Sequence, residues 1–288
     1  MARTKPTVIS TTKISKLKIN AYAKVNLTLE VLGKRADGYH ALRSIVAMIS
    51  LHDEITLEKA NETTSDTGYP DDLCVKAANL LQVGAKISVK KMIPVGGGLG
   101  GGSADAAAVL LGLNELYALG KTREELAALG AKIGSDIPSL VLGGFVLMEG
   151  RGEIVTRLVE FDEKPPLYMV LANPGVFCST KEVYSACKPS LREDREILYN
   201  IKKSLESGEI AKLASALMND LESPAKALHP EIVKTMKALK AAGAEGVLMS
   251  GSGSTVFGLV PNECRGQEIA ALMNKAGYRS ECVHTIVR

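Results

Sequence analysis

Residues 94–107 read P-V-G-G-G-L-G-G-G-S-A-D-A-A, with six glycines in seven positions and a serine opening an alanine-rich run. Glycines in that number cost conformational entropy and return no side-chain packing. A chain keeps them where its backbone must turn through φ > 0 or come close to something else. A short alternating apolar run at 87–92 precedes the segment and a helical pattern follows it at 103–119, so the local order is strand, loop, helix. Ser103 is the natural N-cap for that helix and Gly120 its stop. A helix start presents unpaired N–H groups and partial positive charge, which together cradle phosphate. The segment therefore predicts a nucleoside triphosphate site, the alternative being a glycine-rich turn that holds nothing. The spacing of Gly96, Gly98 and Gly101 also fits the dinucleotide fingerprint, with Glu115 as its acid. Glu115 falls inside the expected helix, however, whereas that fingerprint needs its acid at the end of the next strand. No lysine follows the glycines, which excludes the lysine-bearing phosphate loop.

The rest of the chain is in keeping with a local site on an ordinary globular protein. It has 288 residues, enough for one large domain or two of common size. Apolar residues make up 46% and charged residues 23%, ample for a core. A net charge of +3 with 4% aromatics argues against nucleic acid as a partner. Five cysteines without a C-x-x-C pair suit a reducing compartment, and the expected location is cytoplasmic. The four histidines show no metal-ligand spacing, and no apolar run is long enough to span a membrane. Residues 1–15 carry three basic residues and no acid, and are expected to form a flexible tail.

Strands are expected within 14–32, in two runs over 45–57 broken at 52–54, and at 145–148, 167–172, 246–249 and 255–260. Helices are expected at 73–82, 103–119, 122–132, 195–205, 209–221 and 230–242, with capping boxes opening at Thr122 and Ser179. The charged, proline-paired stretch 161–166 is the best linker. Strands and helices mix without strict alternation, so α+β is the expected class.

Further residues have both a bland and a chemical reading. Lys24 and Asn26 share one face of a strand at i and i+2; Lys24 is either a solvated surface lysine or a buried cation with a partner. Asp136 is either a helix N-cap or a carboxylate near a substrate hydroxyl. Tyr39 and His40 are half-buried packing, or a stacking ring with a hydrogen-bonding neighbour. The small residues of 250–254 form a plain turn or a second phosphate-facing loop.

Three segments, 21–29, 94–107 and 249–258, resemble in order the motifs of the GHMP kinase superfamily. The segments A-K-V-N-L (23–27), G-K-R-A-D-G-Y-H (33–40), I-S-L-H-D-E (49–54), G-S-D-I-P (134–138) and N-D-L-E (219–222) narrow the likeness to the 4-diphosphocytidyl-2-C-methyl-D-erythritol kinase family. The D-G-Y-H segment separates that family from others in the superfamily. The resemblance implies a two-domain α+β GHMP kinase fold. A ribosomal-protein-S5-like N-terminal half over 16–162 would pair with a ferredoxin-like C-terminal half over 167–288, with the site between them. It implies an ATP-dependent kinase acting with Mg²⁺ on a small molecule, the 2-hydroxyl of a cytidylated methylerythritol, in isoprenoid precursor synthesis. Nucleic acid and membrane are not expected as partners, and the state would be monomer or homodimer. Lys24 and Asp136 would be the catalytic pair, with Asp136 deprotonating the hydroxyl and Lys24 stabilising charge on that carboxylate and on the transferring phosphoryl group. ATP would lie on Pro94, Gly96, Gly97, Gly98, Leu99, Gly100, Gly101, Gly102 and Ser103, with Ser103 also the Mg²⁺ contact. Asn26 would place the substrate, Tyr39 and Tyr184 would enclose cytosine, and His40 would hydrogen-bond to it. The alternatives are another GHMP kinase, acting on mevalonate, homoserine or a sugar, and a non-catalytic binding protein of the same fold. Ser103 is followed by Ala104 where the family often has a second serine, so Ser103 alone carries that expected contact, and the 81–86 connection is shorter than the family's usual one.

Overall fold

The computed structural model describes residues 15–189 and 195–287. The tail expected over 1–15 lies, apart from Ser15, outside the described residues. The first apolar stretch forms β1 (Lys16–Asn26) and β2 (Thr28–Lys34), and β3 (His40–Lys59) returns antiparallel against both. The break expected at 52–54 does not occur. β3 is one 20-residue strand, and Asp53 within it is fully buried. Its carboxylate is answered by Lys91 Nζ at 2.5 Å and by the N–H of Ile93 at 2.8 Å. A charge neutralised from a distant segment reads locally as a strand breaker. The β1–β3 register slips between Tyr22 and Lys24. Such irregularities re-aim the neighbouring side chain, here the lysine singled out above.

The two-residue strand β4 (Thr64–Ser65), helix α1 (Leu73–Leu81) and strand β5 (Ala85–Lys90) lead into the glycine loop. Asp72 caps α1 by accepting from Cys74 N–H at 2.7 Å. α2 (Gly101–Leu116) starts two residues earlier than the sequence suggests. Its N-cap is Gly100 at φ 72, with no side-chain cap, and Ser103 is the third helical residue. A left-handed glycine lets the loop turn directly into the helix, so no serine cap is needed. Residues 104–110 of α2 are all buried, which makes it a central helix rather than a surface one. The capping box at Thr122 is present and opens α3 (Arg123–Gly130). α4 (Ile137–Leu142), β6 (Phe145–Gly150) and β7 (Ile154–Arg157) complete this part.

After 161–166 the chain forms β8 (Tyr168–Asn173), α5 (Thr180–Ala186), α6 (Glu196–Ser207) and α7 (Ile210–Ala216). The helical pattern expected to reach 221 ends at 216. β9 (Met218–Asn219) then pairs parallel with β2, and α8 (Glu222–Leu228) follows. α9 (Pro230–Ala241), β10 (Glu245–Met249) and β11 (Val256–Val260) match expectation. α10 (Glu263–Lys275) and β12 (Arg279–His284) close the chain and were not anticipated.

β8, β10, β11 and β12 form an antiparallel sheet in the order β10-β11-β8-β12. By order of appearance that is second, third, first, fourth, the arrangement of a ferredoxin-like sheet. The larger eight-stranded sheet holds the remaining strands, β9 included. Mixed helices and mainly antiparallel sheets make the fold α+β. The two cores interlock. Leu198, Ile201 and Leu213 from α6 and α7 pack into the first core, and Leu29 and Val31 from β2 pack into the second.

Candidate active site

Strand β1 carries Lys24 to the glycine loop. Lys24 is 4% exposed, which removes the solvated reading. Its ammonium donates to Asn26 Oδ1 at 2.6 Å and to the Gly98 carbonyl at 3.2 Å, and stands 3.7 Å from Asp136 Oδ2. Asn26 passes the contact on, donating from Nδ2 to Ser44 Oγ at 2.8 Å. Asp136 occupies the N-cap position of α4 but makes no capping hydrogen bond. Its side chain is 36% exposed while that of Lys24 is 5% exposed. The carboxylate is thus free to meet a ligand, with a buried cation behind it.

The glycine loop is pinned from behind by the β10–β11 loop. Thr255 N–H donates to the Gly97 carbonyl at 3.1 Å and Ser250 Oγ to the Gly98 carbonyl at 3.0 Å. A Cβ at Gly98 would collide with the Ser250 carbonyl oxygen. The 250–254 segment is therefore a support for the glycine loop as well as a turn. At Gly102 the situation is opposite, since a Cβ would meet only Leu73 Cδ1 at 3.9 Å. The first turn of α2 has no side-chain cap, so its N–H groups stay available to an anion.

At the other end, the rings of His40 and Tyr184 lie 5.3 Å apart at 33°, while Tyr39 is 53% exposed beside Arg151. Burial first, and then the charge of Asp136, push the Tyr184 phenol above its ordinary range. The structure thus brings Tyr184 within electrostatic reach of Asp136. A cleft of 1510 Å³ joins these groups, and every candidate site residue named from the sequence lines it.

Sequence reasoning missed one charged cluster on the same cleft. Lys91 Nζ bridges Asp53 Oδ2 at 2.5 Å and Asp105 Oδ2 at 2.7 Å. Asp105 is 4% exposed, and its Oδ1 is buried without a partner. Burial pushes the Asp105 carboxyl up to about 7, with Lys91 opposing and Asp53 reinforcing. The available signal was an aspartate inside an alanine-rich helical run and another inside an apolar strand.

The family described as GHMP kinases N terminal domain matches residues 72–144, and that described as GHMP kinases C terminal matches 201–279. The 4-diphosphocytidyl-2-C-methyl-D-erythritol kinase of Citrifermentans bemidjiense is 42% identical over 288 residues, covering 95% of this chain and 100% of the relative. That of Brevibacillus brevis is 39% identical over 268 residues, covering 88% and 91%. A crystal structure of 4-(cytidine 5'-diphospho)-2C-methyl-D-erythritol kinase aligns with a TM-score of 0.80 at 34% identity, over 94% of this chain and 100% of the other. Homoserine kinase from Cytophaga hutchinsonii aligns with a TM-score of 0.76 at 20% identity over 97% of each chain, a likeness of fold.

Proposed function

The chain belongs to the 4-diphosphocytidyl-2-C-methyl-D-erythritol kinase family of GHMP kinases, and from that premise we propose that it transfers the γ-phosphoryl group of ATP to the 2-hydroxyl of the cytidylated methylerythritol. The observation that carries this reading is the position of the Lys24–Asp136 pair. It sits on one cleft between an uncapped glycine-loop helix and an aromatic end.

Phosphoryl transfer asks a protein chiefly for positioning and charge stabilisation. The first turn of α2 receives the phosphates on backbone N–H groups. Asp136 holds the acceptor hydroxyl and takes its proton as the oxygen attacks. The Lys24 ammonium, fixed by Asn26 and the Gly98 carbonyl, faces the charge that spreads over the transferring group. The bond to the leaving ADP oxygen breaks as the new P–O bond forms. Tyr39, His40 and Tyr184 hold the pyrimidine at the far end, so that binding energy there aligns the hydroxyl.

Magnesium with nucleotide takes only one or two protein oxygens. Ser103 Oγ lies 3.8 Å from where a Cβ at Gly134 would stand, next to the turn that carries Asp136. The Ser103 hydroxyl, in the first turn of α2 on the same cleft, fits such an ion and would hold it. Its charge would offset that of the phosphate groups. Among the described residues no helix is long and apolar enough to cross a membrane. The test is to incubate enzyme, MgATP and the cytidylated substrate and to locate the new phosphate by phosphorus NMR. A phosphomonoester on the tertiary carbon supports the reading, and ADP release without that product contradicts it.

A further inference from the structure

The turn between β6 and β7 has a side chain that the chemistry above does not use. Arg151 donates its backbone N–H to Glu153 Oε2 at 2.6 Å and its guanidinium Nη2 to the Ala131 carbonyl at 3.3 Å, at the C-terminal end of α3. These bonds aim the guanidinium at Tyr39, with its central carbon 5.1 Å from the ring centroid. No aromatic ring among the described residues stands against Tyr39. Its backbone is tied, through Arg35 N–H to the Tyr39 carbonyl at 2.8 Å and Tyr39 N–H to Asp37 Oδ1 at 3.1 Å. Neither bond restrains the ring's χ angles. The neighbouring Gly152, at φ 116, packs so closely that a Cβ would stand 3.1 Å from both Ser135 Cβ and Ser135 O. The turn that carries Arg151 therefore rests on the residue before Asp136.

A half-exposed ring that must order itself on each binding event forfeits affinity. A planar guanidinium stacked on one face restrains it and leaves the other face open. We propose that Arg151 is the positioning residue for Tyr39, holding its ring so that the free face meets the pyrimidine of the substrate. This rests on the reading of Tyr39 as part of the base pocket. It gives the β6–β7 turn a role in substrate specificity and links the base end of the cleft to the Asp136 turn.

The test is steady-state kinetics on the cytidylated substrate for Tyr39→Ala, Arg151→Met, Arg151→Lys and the double variant Tyr39→Ala/Arg151→Met, each checked for an unchanged thermal midpoint. Arg151→Met should raise substrate KM about 2- to 5-fold, the range a partly exposed cation–π contact supports. The KM for ATP and kcat should stay as in the wild type, and Arg151→Lys should recover part of the loss. In the Tyr39→Ala background the same arginine change should add nothing. An equal loss in both backgrounds would overturn the inference, because Arg151 would then act on the substrate directly. It would equally fall if Tyr39→Ala raised KM and Arg151→Met did not. If Tyr39→Ala itself left KM unchanged, the base-pocket reading would fail and the inference with it.

Discussion

At the scale of single residues, the site depends on which charges are answered inside the protein and which are left for a ligand. Lys24 is buried and hydrogen-bonded to Asn26 and the Gly98 carbonyl, whereas Asp136 is 36% exposed, which supports the proposal that the aspartate meets the substrate hydroxyl. Asp136→Asn keeps the shape and removes the proposed base. It should lower kcat by about 10²–10⁴ with little change in thermal midpoint, since the side chain caps nothing in α4. A variant with near-normal kcat would reduce Asp136 to a surface residue. Asp105 is the opposite case, a carboxyl held high by burial. Its folded-state value lies above the unfolded 3.8, so the folded protein keeps a proton that the unfolded chain releases. Stability linked to that proton is fully present below about pH 4 and is lost as pH rises through about 7. Thermal melts of wild type and Asp105→Asn across this window should diverge, with the wild type falling relative to the variant. Parallel profiles would mean that Lys91 already compensates the charge.

At the scale of elements, the glycine loop divides into a part packed against protein and a part open to ligand. Gly98 lies against the β10–β11 loop, whereas a Cβ at Gly102 in the first turn of α2 would meet only Leu73 Cδ1, at ordinary contact distance. Gly102→Val should leave the fold intact and weaken MgATP binding, measured by calorimetry. Gly98→Val should lower the thermal midpoint itself, because its side chain meets backbone. If Gly102→Val left nucleotide affinity unchanged, the helix start would not be the phosphate seat. This division was not legible beforehand, since glycine composition announces close approach but not by what. Capping signals were legible at Thr122 because the partners are three residues apart. The unbroken β3 was not, because Asp53 finds Lys91 through the fold. Nor was β9, two residues whose strand character comes only from pairing with β2.

For the whole molecule, we propose that the two lobes divide at about residues 162–167. They are joined firmly, since β9 crosses back to the larger sheet and Arg279 Nη2 donates to the Met92 carbonyl at 2.6 Å, just ahead of the glycine loop. The short motifs around Lys24, Asp136, Tyr39 and the glycines were readable in sequence, and the cleft unites them. The Arg151 and Lys91 contacts were not, since each joins segments far apart in the chain. A cleft with an uncapped glycine-loop helix at one end and aromatic rings at the other supports the proposed substrate, which carries both a reacting hydroxyl and a flat base. The most direct measurement is the rate of ADP release from MgATP with three acceptors compared at equal concentration: the cytidylated methylerythritol, its uncytidylated phosphate, and mevalonate. The account predicts turnover with the first and little with the others, and a preference that shrinks in Tyr184→Ala. Comparable rates with mevalonate, or with the uncytidylated compound, would contradict it.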